Sequence, residues 1–131
     1  MPFMAPMRET IAAAVLMEMG YTGEKPLVVP MCGSGTIAIE AALIAKQRAA
    51  GLLRSNYACT HYLGTSEDDW RQERAEAKKL VASNDPAPII ASDIEEEAID
   101  ATRKNAVTAG VDHLIEFHAV SYTHLTLPTK A

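Results

Sequence analysis

Residues 27–45 constrain this chain more than any other stretch. Leu27, Val28 and Val29 are apolar and mostly β-favouring, and Pro30 breaks the run at once. Met31, Cys32, Gly33, Ser34 and Gly35 follow, and the two glycines let the backbone bend sharply and leave room for close approach. Thr36 opens an Ile/Ala-rich run to Ala45 that reads as a helix, with Thr36 as its cap and its free N–H groups pointing back at the turn. A buried strand, a tight turn and a helix in that order make a seat for the polar part of a nucleotide-like ligand.

The remaining segments fit around this unit. From Arg8 to Met19, the residues Ile11, Ala12, Val15, Leu16 and Met19 fall at helical spacing, and residues 20–26 form a turn into the first strand. The helix after the glycine turn is expected to end between Ala45 and Ala50, with Gly51 as its stop. Residues 51–88 read as an insertion. Within it, Asp68, Asp69 and Trp70 start a charged, solvated helix running to Leu80, with Glu67–Arg71 and Glu76–Lys79 as side-chain pairs. Ile89, Ile90, Ala91 and Ser92 form a second buried strand that ends on Asp93. Residues 94–106 form a helix with acids first and bases last, and Gly110 stops it. Residues 114–119 alternate as a third strand. Helices alternating with strands predict an α/β fold with a parallel, doubly wound sheet of about three strands.

Bulk properties narrow the function. With 131 residues, one domain is expected, and 48% hydrophobic residues suffice for a core. No apolar run is long enough to span a membrane, and the first residues lack the layout of a signal peptide. Two cysteines, Cys32 and Cys59, make no disulfide scaffold, so a reducing cytoplasm is the simplest setting. A net charge of −5 argues against strong binding to a phosphate backbone by this segment. A nucleic-acid substrate would require a basic surface from elsewhere.

Two features stand where a doubly wound sheet binds its ligand: the glycine turn after strand one and the acid that ends strand two. The turn suits a carboxylate or phosphate, and Asp93 suits a pair of ribose hydroxyls. Gly33, Gly35 and Ala38 also fit a dinucleotide fingerprint, whose acid comes about 20 residues on; Asp93 lies three times as far, a gap the insertion accounts for. Spacing alone therefore leaves a nicotinamide-type oxidoreductase open, as well as a non-enzymatic interaction fragment.

The wider words point further. Residues 30–42, PMCGSGTIAIEAA, resemble motif I of S-adenosylmethionine-dependent RNA methyltransferases of the Rossmann-like class I fold. The most similar group is the THUMP-associated family, which methylates the exocyclic amine of guanine in large-subunit ribosomal RNA. Residues 5–14 are similar to the family's segment before the first strand, residues 51–55 and the Trp70 region to its insertion, and residues 92–98 to its second motif. The resemblance implies S-adenosyl-L-methionine as cofactor, with Pro30, Cys32, Gly33, Ser34, Gly35 and Thr36 lining its methionine end, Asp93 holding the ribose and Ile94 packing on the adenine. Cys32 is expected to pack rather than act as a nucleophile. Glu40 is either a surface residue or a cofactor-side contact, and Arg8 either starts a solvated helix or reaches substrate phosphate. No metal is implied.

The chain departs from the family in two places. Val29 stands where the family has an acid that receives the cofactor's ammonium group, and the family's Asn/Asp-Pro-Pro-Tyr motif is absent from the sequence. Residues 120–129, VSYTHLTLPT, resemble one reading frame of a transposase adapter used in sequencing libraries. The resemblances together imply that residues 1–119 are the N-terminal half of a methyltransferase domain, that 120–131 are a non-native tail, and that ribosomal RNA is contacted by parts of the parent not in this chain. The half alone is expected not to methylate RNA and to bind the cofactor weakly or not at all.

Overall fold

The computed structural model describes residues 7–53, 57–64 and 66–120, apart from the Cys59 side chain. The adapter-like segment lies outside these residues except for Val120. In chain order come α1 (Glu9–Glu18), β1 (Leu27–Val29), α2 (Thr36–Ala45), α3 (Glu67–Lys79), β2 (Ile89–Asp93), α4 (Glu96–Ala109) and β3 (Ile115–Ala119), with short 3-10 turns at Ala50–Leu53, Ala58–His61 and Asp112–Leu114. The strands form one parallel sheet in the order β1-β2-β3. The predicted α/β class, the parallel pairing and the three strands are all present.

Register explains which residues make the core. Leu27, Ile89 and Ile115 are aligned across the sheet, as are Val29, Ala91 and Phe117. These rows face the helices and join Leu16, Ala38, Ala41, Ala42, Leu43, Ala106 and Ala109 in one apolar cluster. Alanine-rich helix faces let α2 and α4 lie close to the sheet. The alternate row of Val28, Ile90 and Glu116 points the other way, and Val28 is 59% exposed. Among the described residues no helix covers that second face.

Several boundaries move for identifiable reasons. Helix α2 stops at Ala45, well before Gly51: Gln47 takes a left-handed conformation (φ 53°), and the Arg48 N–H reaches back to Leu43 O at 2.9 Å. Gly110 (φ 75°) closes α4 in the same manner, as expected from the sequence. Helix α4 begins at Glu96 rather than Ile94, because Asp93 Oδ1 accepts the Glu95 N–H at 3.0 Å and holds residues 93–95 in a turn. Leu114 belongs to a 3-10 turn, so β3 starts at Ile115.

Helix α3 buries none of its residues, matching the solvated reading, but its pairs differ. Arg71 faces Asp68 at 3.6 Å instead of Glu67, and among the described residues Glu76 and Lys79 form no ion pair. Ser66 caps it by accepting N–H bonds from Asp68 and Asp69. The apolar face assigned to α1 is only half used. Ala12 and Leu16 are buried against α2, whereas Ile11, Val15 and Met19 are exposed.

Candidate functional site

Strand β1 cannot continue past Val29, because Pro30 has no N–H to give to the ladder. The chain instead turns through Met31, itself left-handed at φ 55°, and regains the sheet when Cys32 N–H donates to Ser92 O at 2.9 Å. Gly33 follows at φ 60°, and its N–H donates to Asp93 Oδ2 at 3.1 Å. The glycine turn and the acid sixty positions later therefore meet directly at the carboxyl ends of β1 and β2. This is the crevice position expected of an open α/β sheet. Asp93 is only 8% exposed, and each of its oxygens accepts one backbone N–H, which leaves lone pairs on both for a ligand. Ile94, next to it, is 55% exposed and offers an apolar surface beside the carboxylate.

The two glycines do different work. A Cβ built on Gly33 meets nothing within 4 Å, so that side of the turn is open. A Cβ on Gly35 (φ 91°) would stand 2.5 Å from Thr102 Cγ2, so what approaches Gly35 closely is the protein's own α4. Gly35 is also the N-cap of α2, with no side chain supplying a cap hydrogen bond. Thr36, expected as the cap, is instead the first helical residue, and the first N–H groups of α2 are left uncapped.

The remaining residues fall into two places. Cys32 is half-buried, with Sγ 3.4 Å from Thr102 Oγ1. Burial pushes its thiol pKa up, and the Asp93 carboxylate adds to this against the opposing Thr102 hydrogen bond, so a packing role fits and a thiolate nucleophile does not. Pro30 is exposed at the mouth of the turn. Ser34 is buried, and with Thr36 it lines a cavity of about 370 Å³ on the outer side of α2 and α4, bounded by Glu9, Ile39, Glu40 and Leu53 among others. Arg8 occupies the exposed N-cap position of α1.

Glu40 is not a surface residue, and it lines the same cavity as Ser34 and Thr36. It is 9% exposed, and burial together with the nearby Glu9 carboxylate raises its pKa above the ordinary range. A raised carboxyl pKa means the folded state holds the proton more tightly than the unfolded chain. The Glu40 contribution is then neutral below the ordinary carboxylate pKa and becomes destabilising as pH rises through the raised folded value. Glu40→Gln is expected to melt a few degrees higher than the parent at pH 7.5 and at nearly the same temperature near pH 4. Parallel thermal melts across that range check it, and a pH-independent difference would refute it.

Sequence reasoning missed Thr102 and Asn105. Thr102 Oγ1 donates to Gly33 O at 2.8 Å, and Asn105 Nδ2 donates to Ser34 O at 2.9 Å. A signal was present: Thr102 sits polar within an otherwise small apolar stripe of Ala98, Ala106 and Ala109, one face of a helix.

Fold and cleft define a Rossmann-like α/β domain with its ligand end at the glycine turn and the acid closing β2. Over residues 2–131 the chain matches the RMKL-like methyltransferase domain, and it belongs to that family. Its three strands are thus part of a class I methyltransferase fold. A possible methylase from Clostridium difficile 630 superposes with a TM-score of 0.86 at 37% identity, over 94% of this chain and 32% of that one. A predicted N6-adenine-specific DNA methylase from Listeria monocytogenes gives 0.86 at 35% identity with the same coverages, 94% and 32%. SMU.472, a proposed methyltransferase in complex with S-adenosylhomocysteine, gives 0.85 at 27% identity, again over 94% and 32%. The chain spans about a third of the length of these solved structures. No helix among the described residues is long and apolar enough to cross a membrane.

Proposed function

We propose that this chain is the cofactor-binding part of an S-adenosyl-L-methionine-dependent RNA methyltransferase of the THUMP-associated kind, whose target is the exocyclic amine of guanine in ribosomal RNA. The observation that carries the cofactor assignment is the 3.1 Å hydrogen bond from Gly33 N–H to Asp93 Oδ2, which puts the glycine turn and the acid in one crevice. The crevice fits the cofactor at both ends of that bond. Asp93 retains acceptor capacity for the ribose diol, Ile94 offers an apolar flank for the adenine, and the open side of Gly33 leaves space for the amino-acid end. The bound cofactor supplies an electrophilic methyl group on a sulfonium. The SMU.472 complex with S-adenosylhomocysteine supports the same assignment.

The ammonium end fits less well. Val29 is buried in the core cluster, 6% exposed, and provides no charge where the family carries an acid. Affinity for the cofactor is therefore reduced relative to a domain with that acid. A ring-conjugated amine is a poor nucleophile, and its protons must be held by acceptors so that its lone pair faces the methyl group. The Asn/Asp-Pro-Pro-Tyr segment that does this in the family is absent from the sequence, so the chain by itself transfers no methyl group. The rim beside Asp93 carries Glu95, Glu96 and Glu97, all exposed, an acidic surface in keeping with RNA being drawn in by other parts of the parent in this reading.

The similarity to the predicted N6-adenine-specific DNA methylase from Listeria monocytogenes favours a second reading, methylation of the adenine exocyclic amine in DNA. Both readings share the chemistry of an aromatic amine attacking a sulfonium methyl, and nucleoside analysis of RNA and DNA after deletion of the parent gene separates them. Loss of N2-methylguanosine from ribosomal RNA supports the first; loss of N6-methyladenine from DNA supports the second. For the cofactor itself, calorimetric titration of this chain is expected to give saturable heat with S-adenosylhomocysteine and none with NADH. Uptake of NADH alone would return the chain to the oxidoreductase reading.

A further inference from the structure

The carbonyls of residues 32–35 are all spoken for. Thr102 takes that of Gly33 and Asn105 that of Ser34, while Cys32 O accepts the Gly35 N–H at 3.0 Å and Gly35 O accepts the Ile39 N–H at 2.9 Å. The N–H groups of Ser34, Thr36, Ile37 and Ala38 bond to no described residue. The turn thus spends all four of these acceptors on the protein, and the Cys32, Gly33 and Gly35 donors as well, while the Ser34 N–H and the first N–H groups of α2 stay unspent.

This polarity is not guaranteed by the backbone. A trans peptide unit holds its C=O and N–H on opposite sides, so fixing one oxygen fixes the direction of the next N–H. The Gly33–Ser34 and Ser34–Gly35 units are each bordered by a glycine, whose wide φ/ψ range makes rotation of the whole unit cheap. Rotation of the first unit would replace the unspent Ser34 N–H with a carbonyl oxygen and present negative charge to an incoming carboxylate; rotation of the second would break the Gly35 N–H bond to Cys32 O that closes the turn.

We infer that Thr102 and Asn105 are positioning residues for the cofactor: from α4, without touching it, Thr102 locks the Gly33–Ser34 unit so that the Ser34 N–H is left for the ligand's carboxylate end, and Asn105 locks the Ser34–Gly35 unit so that the Gly35 N–H stays on Cys32 O and the turn keeps its shape. Thr102 is well suited. It is fully buried and β-branched, with its hydroxyl 2.8 Å from Gly33 O and 3.4 Å from Cys32 Sγ, and its methyl group pressed against Gly35. Asn105 holds the second unit one helical turn further along α4. The inference rests on the S-adenosylmethionine reading for its ligand, but the locked turn is a property of the chain alone.

The test uses Thr102→Val, which keeps the shape and removes the donor, Thr102→Ser, which keeps the donor, and Asn105→Asp, which sets an acceptor against Ser34 O. Two quantities are read on the purified chain: S-adenosylhomocysteine affinity by calorimetry, and exchange of the Gly33 and Gly35 amide protons by NMR. Thr102→Val and Asn105→Asp are expected to weaken affinity roughly 5- to 30-fold, in the lower part of the range for a buried carbonyl left unpaired. They should also speed exchange at Gly33 and Gly35 about tenfold or more, while Thr102→Ser stays within about twofold of the parent on both readouts. Parent-like affinity and exchange in Thr102→Val would overturn the inference. So would a Thr102→Ser variant that falls as far as Thr102→Val, since packing alone would then account for the residue. If the parent takes up no S-adenosylhomocysteine, the cofactor reading fails, and the exchange rates still decide whether α4 locks the turn.

Discussion

Asp93→Ala is expected to weaken S-adenosylhomocysteine binding by about 100-fold or more. The carboxylate is buried and contributes twice. It accepts the Gly33 and Glu95 N–H groups, which hold the turn and the start of α4 together, and its remaining lone pairs face the crevice where a ribose diol would donate. Hydrogen bonds to a charged acceptor are worth about 1.5–3 kcal/mol each, and two lost bonds at about 1.4 kcal/mol per decade give this figure. Asp93→Asn should fall between the parent and the alanine variant, because the amide keeps one acceptor but turns a donor toward one of the backbone N–H groups. Calorimetric titration of the three proteins checks the order. An alanine variant that binds within threefold of the parent would remove Asp93 from the site.

Gly35→Ala and Gly33→Ala should fail in opposite ways. At Gly35 the new methyl would lie 2.5 Å from Thr102 Cγ2 and 3.0 Å from Thr102 Cβ, atoms of a stiff side chain on a packed helix. Left-handed strain of about 1–2 kcal/mol adds to an overpacking cost of about 1–3 kcal/mol. The sum is a large part of the 5–15 kcal/mol typical of a whole domain, so Gly35→Ala should be largely unfolded or strongly destabilised. At Gly33 the new methyl meets nothing within 4 Å, and only the left-handed strain remains. That variant should fold, melt a few degrees lower and lose ligand affinity, because its methyl stands in the open side of the turn. Thermal melts and ligand titration of the pair separate the two; equal melting temperatures would show that Thr102 yields easily.

Much of this was legible in the sequence because the dominant signals are local. The 27–29 strand, the Gly33–Gly35 bend, the 89–93 strand and the Gly110 stop each follow from a few adjacent residues, and all four are present. The meeting of Gly33 with Asp93 followed from topology, since consecutive parallel strands joined by a helix bring their carboxyl ends side by side. What escaped depends on contacts between segments distant in sequence. Thr36 looked like a cap because threonine is a common one, yet the turn delivers Gly35 to that position. Gln47 carries no mark of a left-handed terminus, so the stop of α2 was assigned to Gly51, although its end at Ala45 falls within the expected range. Thr102 and Asn105 read as ordinary helix residues until the turn is laid against them. Glu40 sits on an Ile/Ala-rich helix, and only the packing of α1 beside α2 shows that it is largely buried.

Among the described residues, the sheet is roofed on one side. Val28 and Ile90 sit on its bare side in a parallel arrangement that proteins ordinarily sandwich between two helical layers. Apolar side chains gain nothing from facing water, and a strand meant for solvent would carry threonine or lysine there. The wallpaper of a room is hung on its inner walls; by that sign, what looks like the back of this molecule was written as an interior.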